Sequence, residues 1–134
     1  MQDYLDKKLY VMGNELLIQL IGLQEQLRVL HWQTKSHARH IAYGEKYESL
    51  GELIDSFMEI YMGKYGRVEF DGETGVIELK NTSSLELNDF FEKNLVFLVS
   101  LNEKLNNKLD SDLLNLKDEM MAELNQLRYL LSLK

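Results

Sequence analysis

The apolar positions of the chain fall into four helical stripes separated, at one place, by a stretch of period two. Leu5, Leu9, Met12, Leu16, Leu20, Leu23 and Leu27 recur at intervals of three and four, the spacing of one buried helix face. They predict a first helix over about residues 3–35, with Asp3 as a cap and Gly13-Asn14 as a possible break. Ser36 caps a second helix over about residues 37–63, whose stripe is Tyr47, Leu50, Ile54, Phe57 and Tyr61 and whose end is marked by Gly63 and Gly66. A third helix, over about residues 84–108, begins at the capping box Ser83-x-x-Glu86. Its stripe is Leu87, Phe90, Phe91, Phe97, Leu98, Leu101 and Leu105. Asp110 or Ser111 caps a fourth helix over about residues 111–133, carrying Leu113, Leu116, Met120, Leu124, Leu127 and Leu131.

Residues 66–80 differ. Arg67-Val68-Glu69-Phe70 and Val76-Ile77-Glu78-Leu79 each alternate, and Asp71-Gly72-Glu73-Thr74-Gly75 supplies turn residues between them. This predicts a small β-hairpin packed on the bundle or on another subunit. The expected fold is all-α: a single domain over 1–134, an antiparallel four-helix bundle with the hairpin in its long second connection. One long crossover between two helical hairpins is the ferritin-like topology.

Composition narrows the chemistry. The chain has no proline, so long helices meet no built-in break. It has no cysteine, which excludes disulfides and thiolate metal sites and leaves histidine, carboxylate and water as ligands for iron, manganese or zinc. The net charge is −7 and the basic residues are scattered, so DNA is an unlikely partner. No stretch is apolar and long enough to span a membrane or act as a leader, and the expected location is cytoplasmic.

Candidate chemistry sits on the first two helices. On a helical wheel, Leu20, Gln24 and Leu27 lie within about 40° of His31, placing the imidazole on the apolar face. A core histidine bonded to Gln24 or to the backbone satisfies the same pattern. On the second helix Glu48, Glu52, Asp55 and Glu59 form an acidic row within roughly 60° of arc, with no cation among them. Asp55 and Glu59 are one turn apart and can reach one cation. A solvated acidic face is the alternative. His37 lies in the turn and His40 at the helix start. Trp32, Tyr43 and Tyr47 read as core aromatics.

Taken together, residues 30–59 resemble the centre of the Dps family, mini-ferritins that store iron and protect DNA. The resemblance rests on His31-Trp32-Gln33-Thr34-Lys35, on Asp55-Ser56-Phe57-Met58-Glu59, and on His40 fifteen residues before Asp55. It implies a ferroxidase site between two-fold-related subunits, with His31 and His40 from one chain and Asp55 and Glu59 from the other. It also implies a homo-oligomer, at least a dimer. His31, Asp55 and Glu59 are then the catalytic residues, with Glu48 and Glu52 as weaker metal ligands. The chain departs from the family at Gly44, where an aspartate is usual, and Glu45 or Glu48 is the candidate replacement. The expected function is oxidation of Fe(II) for iron storage or peroxide detoxification. The competing expectation is a non-enzymatic helical bundle, structural or interacting, that keeps remnants of the motif.

Overall fold

A computed structural model describes residues 2–133, with side chains from residue 12 onward. Four helices follow in order: α1 (Gln2–Gln33), α2 (His37–Tyr65), α3 (Leu87–Lys104) and α4 (Ser111–Ser132). There is no strand among the described residues. α1 passes through Gly13-Asn14 unbroken. Asp3, Leu5 and Leu9 carry side chains that lie outside the described ones. α2 is capped as its sequence predicts: the Ser36 hydroxyl accepts from the Arg39 N–H at 3.2 Å, and Gly66 closes the C-terminus with φ 93°.

The predicted stripes form the core. Leu16, Leu20, Leu27 and Leu30 of α1 pack with Tyr43, Leu50, Phe57 and Tyr61 of α2, Leu98 and Leu101 of α3, and Leu113, Met120, Leu124 and Leu127 of α4. Each fully buried side chain of this kind stabilises the fold by about 1.5–3 kcal/mol relative to exposure. Trp32 is not among them: it is 69% exposed at the end of α1, because it lies two residues, about 200° of helix, past Leu30, the last buried residue of the stripe.

Cross-helix contacts fix the topology. His31 lies against Gly44 and Gln24 against Gly51, so α1 and α2 are antiparallel. Arg39 donates to the Leu131 carbonyl at 3.3 Å and Lys64 pairs with Asp112 at 2.6 Å, so α2 and α4 are antiparallel too. Arg128 pairs with Glu92 from α4 to α3, and Lys104 with Glu15 from α3 to α1. The helices run around the bundle in the order α1, α2, α4, α3, and α2 is diagonal to α3 and parallel to it. Residues 66–86 must therefore carry the chain back along the bundle.

That crossover is where the hairpin was expected, and it contains none. The two alternating segments do not pair with each other; each lies along α1. A Cβ on Gly13 would meet Val68 at 2.9 Å, so the glycine makes room for the valine. Next to it the Asn14 side chain accepts from the Asp71 N–H at 3.0 Å. Further up, the buried Gln26 amide takes both backbone groups of Lys80: Nε2 donates to the carbonyl and Oε1 accepts from the N–H, each at 2.8 Å. The Gln33 amide donates to the Asn81 side-chain oxygen at 2.9 Å and accepts from the Thr82 N–H at 2.7 Å. Period two marks an extended chain, and in the first segment alternate residues are half-buried, Val68 and Phe70 against exposed Arg67 and Glu69. Here the face it packs on is a helix bearing amide side chains, not a second strand.

The third helix also starts later than expected. Glu86 is its N-cap residue and makes no side-chain cap bond, and the Ser83 capping box does not form. Residues 82–84 instead turn, with the Ser84 and Leu85 N–H groups both donating to the Asn81 carbonyl. α3 then stops at Lys104, because Asp110 draws the backbone of Asn106 to its own carboxylate at 2.9 Å.

Candidate functional site

The α1–α2 corner holds the two histidines singled out by the sequence. Their rings stack with centroids 4.0 Å apart and planes 14° from parallel. The bonding is reciprocal. His31 Nδ1 donates to the His40 carbonyl at 2.7 Å, and His40 Nδ1 donates to the His31 carbonyl at 2.9 Å. A carbonyl only accepts, so both rings carry a proton on Nδ1 and present Nε2 as the remaining nitrogen. The pair ties the last turn of α1 to the first turn of α2 across a three-residue connection. Gly44 belongs to this arrangement. A Cβ there would stand 2.8 Å from His31 Cε1 and 3.0 Å from Nδ1. An aspartate at position 44 is incompatible with the imidazole where it lies.

His31 is thus held by the backbone, not by Gln24, whose amide instead crosses to Gly51. His37 is exposed and stands apart from the stack. Glu48, Glu52, Asp55 and Glu59 all project to solvent along the outer ridge of α2, and Glu45 joins them. Asp55 is eleven residues along α2 from Gly44, about 16 Å at the rise of a helix. One chain therefore brings His31 and His40 together and leaves Asp55 and Glu59 remote from them. Among the described residues no three His, Asp or Glu side chains converge on a point where a metal ion would sit. Beside the histidine pair, Arg28 lies over the Tyr47 ring at 4.6 Å and within 5.6 Å of Trp32.

Two polar clusters escaped the sequence reading. Between α2 and α4, buried Lys46 donates to Glu123 at 2.7 Å and to Gln126, and Ser49 donates to the same Glu123 oxygen at 2.7 Å. Burial opposes ionisation of Glu123, but the bonds from Lys46 and Ser49 outweigh it and hold the carboxyl below its ordinary range. At the other end of the bundle, buried Asp110 accepts from Tyr65 at 2.5 Å and pairs with Lys64 at 3.4 Å. Burial first, and the Asp110 charge second, push Tyr61 up to about 12. Burial and the hydrogen bond to Asp110 raise Tyr65 further. A signal for the first cluster was present: Lys46 sits four residues from both Ala42 and Leu50, on the buried face. Lys117, midway between Leu113 and Met120, is a second such lysine and is buried beside Asp118.

Residues 31–131, three-quarters of the chain, match the model of a family of unknown function (DUF5856). The chain belongs to that family. This corrects the resemblance to Dps: the matched span contains His31, His40, Asp55 and Glu59, and it assigns them to DUF5856 rather than to the mini-ferritins. Two letters of the motif, His31 and His40, form a stacked pair with Gly44 beneath it. Among curated proteins, the chain is 42% identical over 55 residues to an uncharacterized 14.6 kDa protein in the mobD-ri intergenic region of Enterobacteria phage T4. The aligned stretch covers 41% of this chain and 43% of the phage protein, so the chain spans less than half of that relative. No solved structure matches the chain.

Proposed function

We propose that this DUF5856 protein is a non-enzymatic helical-bundle interaction protein that works by assembling with other chains. One observation carries the reading: the polar side chains that meet between helices are tied to one another or to the backbone. The stacked histidines hold a corner, Lys46 and Glu123 lock α2 to α4, and Asp110 with Tyr65 closes the far end. Buried polar groups that are mutually satisfied set helix register.

A second reading is favoured by one feature. Both imidazoles fix Nδ1–H on a backbone carbonyl, which is how metal-binding histidines are commonly oriented with Nε2 turned to the ion. In that reading His31 and His40 meet Asp55 and Glu59 of another copy around Fe(II). An anaerobic Fe(II) titration followed by exposure to air separates the two. The interaction reading expects no saturable binding and oxidation no faster than in buffer. Saturable binding that is lost in both His31→Leu and Asp55→Ala would replace it with the metal reading.

A further inference from the structure

We propose that residues 76–80 are an open β-edge, and that a second copy of this chain pairs with it as an antiparallel ladder centred on Leu79. This rests on the reading of the protein as one that works by assembly. Residues 74–81 run without turn or bend, and Val76, Ile77, Glu78 and Leu79 make no hydrogen bond among the described residues. Their composition is that of a strand. Val76 is 81% exposed and Leu79 43%.

The direction of the free groups follows from one anchor. Gln26 takes the N–H and the carbonyl of Lys80 from the α1 side. In an extended chain backbone groups alternate, so those of Glu78 face α1 as well, and those of Ile77 and Leu79 face away. The outward groups are free to pair, and the anchor has already ordered the segment that presents them.

The sequence selects the partner by charge complementarity. When Leu79 of one copy lies opposite Leu79 of the other, the two residues exchange N–H and carbonyl bonds across the two-fold axis. Glu78 of each copy then falls opposite Lys80 of its mate, as a close pair of opposite sign on one face. The same register sets Ile77 across from Asn81. There the ladder ends, because the Asn81 carbonyl is already taken by Ser84 and Leu85. Shifting the register by one residue to centre on Glu78 would place Glu78 against Glu78.

Charge swapping tests this on the full chain, using light scattering across a concentration series and amide hydrogen exchange. Wild type is expected to dimerise from 15.7 kDa to twice that mass, with the Ile77 and Leu79 amides protected in the dimer. Glu78→Lys and Lys80→Glu should each weaken the dimer about tenfold or more, because both cross-strand pairs become repulsive. The double variant should restore it to within about threefold of wild type. Leu79→Pro, with helicity unchanged by circular dichroism, should abolish it by removing the outward N–H. A monomer at every concentration, or a dimer indifferent to the single reversals, overturns the β-edge. Neither result touches the iron titration, so the failure of this interface and the failure of the interaction reading are separately visible.

Discussion

At the scale of single residues, the α1–α2 corner depends on what a glycine leaves out. Gly44→Ala drives a methyl into His31 and must displace a ring held by its bond to the His40 carbonyl and by its stack on the His40 ring. It is expected to destabilise the protein by about 1–3 kcal/mol, as overpacking does. Gly22→Ala is the control: a Cβ there meets nothing within 4 Å, and the helix interior favours alanine, so stability should rise by about 0.5–1 kcal/mol. Urea unfolding of the two variants measures the contrast. Lys46 and Glu123 make a second case. Glu123→Leu strands a buried ammonium and should cost about 3 kcal/mol, whereas Lys46→Met with Glu123→Leu should recover most of it. The spacing of letters showed which side of α1 His31 occupies. It carried no information on what the ring's N–H would find, because the acceptor is a carbonyl nine residues away whose position exists only once the turn has closed.

At the scale of elements, the crossover is held by side-chain amides of α1 at Asn14, Gln26 and Gln33. Gln26 is the buried one, so its loss leaves the Lys80 N–H and carbonyl without partners. Gln26→Ala should cost about 1–3 kcal/mol and expose residues 71–81 to proteolysis while the four helices persist. Limited digestion read by mass spectrometry locates the cuts. The helices themselves were legible, since a 3.6-residue period has one structural meaning over twenty residues. The strand pattern was legible only by halves: alternation reports an extended chain with one side covered, and says nothing about whether a strand or a helix does the covering. The capping box at Ser83 failed for a related reason: the Ser84 and Leu85 N–H groups turn back to the Asn81 carbonyl, which puts Ser83 inside a turn and not at the start of a helix.

At the scale of the whole molecule, stability should follow pH in a stated direction on each side. Glu123 ionises more readily in the fold than in the unfolded chain, so its contribution is present above the unfolded carboxyl range near pH 4.3 and fades as pH falls through the lower folded value. Tyr61 and Tyr65 ionise less readily in the fold, so stability should also decline as pH rises past about 10, where the unfolded tyrosines lose their protons. Thermal melts from acid to alkaline pH should trace this dome, and Glu123→Leu paired with Lys46→Met should flatten its acid limb. The path of the chain has one more consequence. α1 with α2, and α3 with α4, are each neighbours joined by a short turn, and only the exposed crossover links the two pairs. The protein is therefore separable at residues 74–75 into two helical hairpins that carry complementary halves of one core. Co-expressed as separate polypeptides, they are expected to find each other and rebuild a cooperatively melting bundle, with α2 and α4 as the surfaces that reunite.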